Sequence, residues 1–418
     1  MKNKSLEILA PAGSFSKMQY ALNYGANAVY AGVPDFSLRA RINDFTLPTL
    51  KKGVTYTHKK KKKFYLTLNI YAHNRHLPLL EKHLYKIKKI PVDGIIISDP
   101  GILELVKKYL PQIEIHLSTQ ANATNWQAVR FWQKQGVKRI ILAREVTLQE
   151  IKEIHQKVPE VELEYFVHGA MCMSYSGRCI LSKWMTGRSA NLGDCAQPCR
   201  WLYQQKKETI KTMSVEDQTK KFEIDLEEDQ HGTYFFNSQD LNLLHYLSAL
   251  KKAGISSFKI EGRNKSVYYL ATVVKAYSKI ARLLEKNTTR KNLDLALLQE
   301  QTNLNSLIHR GYTTGFLLGN EPGHNFQNSH NTSSYEFVGE VLHNTYRNHL
   351  TKIKVHNAIY LNDKIEIISP QNNYPVKIIK IYNEKRESVS SAHGGHKSIY
   401  YLELSKPLKK YDLIRKLI

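Results

Sequence analysis

The sequence predicts an α/β chain: a (β/α)8 barrel-like catalytic domain followed by a small C-terminal β-barrel. Three observations lead there. Through the first two thirds of the chain, eight short apolar runs of strand length recur, most of them separated by amphipathic segments. The hydrophobic period switches from 2 to 3.6 between them, the mark of βαβ units. Beyond Tyr335 the helical period disappears and strand-like segments follow one another directly.

The eight runs are LEILA near Leu6, NAVYAG near Asn27, FYLTLNI from Phe64, DGIIIS from Asp93, EIHLS from Glu114, KRIILA from Lys138, ELEYFVHG from Glu162 and SFKIEG from Ser257. Helical patterns such as SKMQYALNYG and TNWQAVRFWQKQG lie between them. Eight such units favour a closed barrel over an open sheet, with its active face at the carboxyl ends of the strands. A cysteine-bearing insertion at 169–200 follows the seventh strand and would therefore lie over that face. Within a second insertion at 203–237, KKFEID and TYFFNS read as a hairpin. SQDLNLLHYLSALKKAG reads as a helix, with Ser238 as N-cap and Gly254 as its stop. KSVYYLATVVKAYSKIARLLEK is a long amphipathic helix whose stripe belongs to the core. The catalytic domain is expected over 1–320 and a polar linker over 321–334. The small barrel, over 335–418, is built from YEFVGEVL, LTKIKVH, KIEIIS, VKIIKIYN, SIYYLELS and DLIRKLI.

At 418 residues the chain can bury a large core and a smaller one. It carries 61 Lys+Arg against 37 Asp+Glu, a formal charge of +24 that points to a polyanionic partner, with nucleic acid first. A basic host proteome or an anionic membrane surface is the alternative. The small domain holds 14 Lys+Arg against 8 Asp+Glu, so an RNA would contact both domains. No apolar run approaches the roughly 20 residues of a membrane span. Glu7 and Pro11 interrupt the N-terminal stretch before a signal core could form, so a cytoplasmic protein is expected.

All four cysteines, Cys172, Cys179, Cys195 and Cys199, fall in one stretch with the spacing C-x6-C-x15-C-x3-C. Nearby glycines and Pro198 supply tight turns that let short loops converge. Four thiolates suit an iron-sulfur cluster or tetrahedral zinc. The long first spacing departs from zinc knuckles and favours a 4Fe-4S cluster. Structural zinc, disulfides or four unrelated buried cysteines remain as alternatives, disulfides least because nothing marks the chain as secreted.

The same stretch carries Glu164, Phe166, Gly169, Ala170, Met171, Cys172, Gly177, Cys179, Leu181 and Ser182 at a spacing that resembles the signature of peptidase family U32. EILAPAGS at Glu7, AVYAG at Ala28, STQANATN at Ser118, FKIEGR at Phe258 and RGYTTGF at Arg310 extend the resemblance over most of the chain. It is closest to the branch that hydroxylates tRNA to 5-hydroxyuridine at the wobble position. The resemblance implies a barrel-like catalytic domain, prephenate as hydroxyl donor and co-substrate, and the anticodon arm of tRNA as partner. It also implies that the small domain resembles translation-factor barrels. An electron or cluster-delivery partner is left unidentified.

Polar residues at the strand ends supply the candidate site. His116, His168 and Glu261 are acid/base candidates, although a strand-end histidine is as often a hydrogen-bonded core residue. Gln120, Asn122, Arg144, Arg178, Arg188, Lys259 and Arg263 are substrate-binding candidates, since guanidinium forks suit both carboxylates and phosphates. Lys259 and Glu261, two apart, could instead form a structural ion pair. HKKKKK from His58 is either a solvated turn or a distal tRNA contact. The rival functions are an rRNA cytidine hydroxylase of the same family, a non-catalytic cluster-bearing RNA-binding factor, and a peptidase. The last finds little support, because neither HExxH nor G-x-S-x-G occurs.

Overall fold

Eight parallel strands close on themselves into a barrel. The computed structural model describes residues 5–33, 36–37, 45–172, 174–201, 214–216, 223–225, 237–323, 330–344, 350–395 and 398–418. Its strands are β1 (Glu7–Pro11), β2 (Ala28–Gly32), β3 (Lys63–Leu68), β4 (Gly94–Ile97), β5 (Ile115–Leu117), β6 (Arg139–Ile141), β7 (Glu162–Ala170), β8 (Ser214–Glu216), β9 (Glu223–Asp225), β10 (Asp240–Asn242) and β11 (Ile255–Ile260). The order β11-β1-β2-β3-β4-β5-β6-β7, with β7 pairing back onto β11, makes the barrel. All eight expected strands are in it, each nearly or wholly buried because it faces the interior on one side and helices on the other.

The outer layer is α1 (Phe15–Asn23), α2 (Leu47–Lys59), α3 (Leu77–Ile87), α4 (Pro100–Tyr109), α5 (Trp126–Lys134) and α6 (Leu148–Lys157). After the short α7 (Leu181–Thr186) and α8 (Leu247–Lys252) come the long α9 (Val267–Glu285) and α10 (Arg290–Asn305). Their starts are written in the sequence. The side chains of Ser14, Thr46, Asp99, Asn125, Thr147, Ser266 and Thr289 each accept an amide of their own first turn, satisfying a donor the helix cannot. None of the described helices is long and apolar enough to cross a membrane.

Glu223–Asp225 pairs with the upstream Ser214–Glu216, an antiparallel pair; most of TYFFNS, the partner expected from the sequence, lies outside the described residues. One expectation is corrected here. The stretch after Ser238 does not begin as a helix. Asp240–Asn242 instead lies antiparallel along the end of β7, and the helix starts only at Leu247. That edge of β7, where it runs on past the barrel, would otherwise leave its amides unpaired.

A two-residue strand β12 (Tyr312–Thr313) extends the sheet beside β10. The C-terminal domain follows, with β13 (Tyr335–Asn344), β14 (Leu350–Val355), β15 (Ile359–Tyr360), β16 (Ile365–Ile368), β17 (Asn373–Val376), β18 (Ile378–Tyr382), β19 (Ser388–Val389), β20 (Ser391–Ala392), β21 (Ile399–Leu404) and β22 (Leu413–Leu417). Its sheet runs β17-β16-β22-β13-β14-β21-β18-β19, an antiparallel half-barrel, with β15 and β20 as a separate pair. VKIIKIYN, expected as one strand, is divided at Lys377. Its two parts serve opposite ends of the sheet, so the chain itself bridges the curl.

The domain packs on α1 and α9. Tyr24 donates to the carbonyls of Ile368 and Tyr411, Lys275 donates to Ser369 O and Asn373 Oδ1 at 2.7 Å each, and Phe337 stacks on Tyr268. Arg415, buried, reaches Glu366, Tyr268 and Ser306.

Candidate active site at the carboxyl ends of the strands

A chain of charge rises through the barrel interior. At its amino end Arg139 reaches the carboxylates of Glu7, Glu162 and Glu164, and at its upper end Lys259 Nζ donates to Glu164 Oε1 at 2.7 Å. Burial alone would raise the Glu164 carboxyl, but Lys259 and Arg139 outweigh it and hold the group below the usual carboxylate range. Burial conversely lowers the Lys259 ammonium, against the pull of Glu164. The partner of Lys259 is therefore Glu164, from β7, and its charge is carried to the floor of a cavity above.

That cavity, about 190 Å³, opens over the carboxyl ends. Gln120, Arg144, Lys259, Glu261, Arg263 and all four cysteines line it, together with Tyr30, Asn69, Glu145 and Phe166. Three of its cations lie against rings. Arg144 stands 4.0 Å from the Phe166 centroid, Lys259 4.5 Å from Tyr30, and Arg263 5.8 Å from Tyr30. The sequence motifs act here as supports. Gly13 of EILAPAGS lets the backbone of Arg263 pass where a Cβ would meet its carbonyl at 2.3 Å, and Lys17 Nζ donates to that same carbonyl at 3.1 Å.

The cysteine segment is tied down over the strand ends. Glu145 accepts from Ser176 N at 2.8 Å and from Ser176 Oγ at 3.0 Å. Tyr71 donates to Gln120 O, and both atoms crowd Gly177, which turns with φ of +74°. The four thiols thus share one wall. Burial raises the Cys199 thiol, and the neighbouring Cys172, Cys195 and Cys179 add to this while Arg200 opposes it. Among the described residues no three His, Cys, Asp or Glu side chains converge closely enough to grip a single ion. The donor set the cavity offers is four thiols, the ligand type that an iron-sulfur cluster or a zinc ion takes.

The remaining candidates lie elsewhere. His116 is buried lower in the barrel, its ring 4.7 Å from that of Tyr65 and its Nε2 3.6 Å from Glu114 Oε2, beyond hydrogen-bond reach. His168 does not follow Glu164 and Phe166 inward. A register shift opposite Lys259 and Ile260 turns it to the helical layer, where Nδ1 lies 3.2 Å from Tyr277 Oη. Burial pushes it down to about 3. Asn122 caps a 3-10 turn in the left-handed region at φ of 53°. Arg178 is exposed on the segment's outer side, and Arg188 Nε pairs with Asp194 at 2.9 Å. Sequence reasoning missed Tyr30, Asn69 and Phe166 as wall residues; their positions at inward-facing strand ends were the available signal.

Residues 13–327 match the profile of peptidase family U32, and residues 333–415 that of the peptidase family U32 C-terminal domain. The chain belongs to peptidase family U32. Within U32 it is 40% identical to tRNA hydroxylation protein P of Haemophilus influenzae, over 93% of this chain and 92% of that one. It is 28% identical to a protein named collagenase from Porphyromonas gingivalis, over 98% of each. It is also 36% identical to the 23S rRNA 5-hydroxycytidine C2501 synthase of Escherichia coli, over 65% of this chain but 38% of that one.

Proposed function

We propose that this U32 protein is a tRNA hydroxylase that forms 5-hydroxyuridine at the wobble position, with prephenate as hydroxyl donor. The observation that carries the reading is one cavity that gathers four thiols and three ring-supported cations, in a chain alike from end to end to a relative named for tRNA hydroxylation. Arg144, Lys259 and Arg263 present positive charge to a dicarboxylate donor. Aromatic faces and the Glu164 contact fix those cations before the ligand arrives, which lowers the cost of ordering them. Gln120 adds an amide for orientation, and the apolar wall of Phe166 and Ile141 excludes water. With both histidines off the wall, Glu261 is the group assigned to hold or move a proton beside the reacting base. Arg178, Arg188 and Asn122 are left to the RNA. Cys172, Cys179, Cys195 and Cys199 would hold a 4Fe-4S cluster, which supplies one-electron chemistry when bound. A tRNA substrate places the work in the cytoplasm, with both domains contacting the RNA.

The rRNA reading is second, because this chain spans little of that relative. Peptidase chemistry is third: among the described residues no histidine stands on the cavity wall to activate a serine or cysteine. Mass spectrometry of nucleosides from tRNA and rRNA of a deletion strain separates these. Loss of 5-hydroxyuridine and its derivatives from tRNA, restored by the wild-type chain and not by Lys259→Met, is the expected result. Unchanged tRNA with a lost rRNA hydroxycytidine would move the substrate, and no change in either would leave a binding factor or a peptidase.

A further inference from the structure

Surface helices bury their apolar stripe and show water their polar one. The helix α7 and its preceding residue do the reverse. Ser182 is fully buried, donating to Arg188 O at 2.7 Å and accepting from Ala196 N at 2.9 Å, so the polar residue knits the segment together. Ile180 and Trp184 are 75% and 79% exposed. Trp184 N donates to Ile180 O at 2.9 Å, so the two side chains stand one turn apart on a single face. Tyr175, 60% exposed, flanks the same rim.

The segment that carries this face has more cations than acids. From Ser174 to Trp201 the chain carries Arg178, Lys183, Arg188 and Arg200, and its one acid, Asp194, is already paired with Arg188. Arg178 and Lys183 are exposed on the same segment, with Lys183 Nζ donating to Gly187 O at 3.0 Å. Tyr175, Gly177 and Cys179 line the cavity, and Cys179 directly precedes Ile180, so the face continues from the cavity wall. A flat indole, an aliphatic neighbour and an excess of cations over acids are the chemistry that receives an unpaired base on a polyanionic backbone.

We propose that the outer face of α7 is a stacking platform for an unpaired nucleobase of an RNA loop, next to the base that enters the cavity. Trp184 takes the base on its ring, Ile180 packs its edge, and Arg178 and Lys183 meet the adjoining phosphates. The inference rests on the RNA reading above and sharpens it: the substrate is a loop with splayed bases, and a continuous duplex does not fit.

The test measures binding of a synthetic anticodon stem-loop, and of a blunt duplex of the same stem, to the full-length protein. Trp184→Ala is expected to weaken the stem-loop about tenfold and leave the duplex unchanged, and Trp184→Phe to recover most of the loss. Ile180→Asp is a second, independent variant with the same expected pattern; both side chains are exposed, so the fold is retained. Equal affinity of Trp184→Ala and wild type for the stem-loop overturns the proposal, as does an equal loss on the duplex. Intact RNA affinity with loss of a co-purifying protein assigns the face to that protein and overturns it too. Unchanged tRNA nucleosides in the deletion strain, with stem-loop binding that still depends on Trp184, would sink the hydroxylase and leave the platform standing.

Discussion

Glu164 is shut off from water and still charged, because two cations reach it from different strands. Removing a partner from such a group strands the others. Glu164→Leu is expected to cost about 3–5 kcal/mol of unfolding free energy in urea, since Lys259 would lose its buried counter-charge and Arg139 one of its three carboxylates. Its folded pKa is depressed, so its contribution is present above the ordinary value of 4.5 and fades as pH falls through the lower folded value. His168 works in the same direction from the opposite chemistry. It must stay neutral to remain among Tyr269, Tyr277 and Tyr312, and the unfolded chain binds its proton first. Stability therefore rises with pH between about 3 and 6.5, and His168→Gln should lose less than wild type between pH 8 and pH 5 in parallel denaturation curves. The cysteines, Gln120, Arg144, Lys259, Glu261 and Arg263 were legible because strand ends at one face must converge. His168 was not: alternation along β7 puts it inward, and a one-residue bulge carries no signature among aliphatic and aromatic neighbours.

The cysteine segment has no long helix or sheet of its own and depends on being seated. Gly177 is the tightest seat, with φ of +74° and room for no Cβ, which would meet Gln120 O and Tyr71 Oη at 2.4 Å each. Gly177→Ala should lift the segment and raise the rate at which a thiol reagent modifies the four cysteines of the metal-free protein. An unchanged rate would show that the segment holds its place without this contact. The strands were readable from short apolar runs, and the helix starts from Ser, Thr, Asn and Asp. The segment after Ser238 was not, because its apolar spacing fits a helix equally well. The bare edge of β7, invisible in one dimension, takes Asp240–Asn242 as a strand.

The two domains are joined by buried polar contacts rather than by a greasy seam alone. Arg415 gathers Glu366 of its own domain with Tyr268 and Ser306 of the barrel, so Arg415→Leu should leave Glu366 uncompensated, cost about 3–5 kcal/mol, and split one thermal unfolding transition into two. With a formal charge of +24, RNA affinity should fall steeply and linearly as log K against log salt, the slope counting the phosphates neutralised. Domain order was legible from the change of period near Tyr335, whereas the packing between domains was not, since Tyr24 and Tyr411 meet across most of the chain. The closure of the barrel has a consequence in time. Ser257 bonds Glu7 across 250 positions, so as the polypeptide leaves the ribosome β1 has one flank unfilled until β11 emerges. The cysteines are synthesised before that last strand arrives. During that interval the sheet keeps one edge open, and the ring shuts only after the whole cysteine segment has been made.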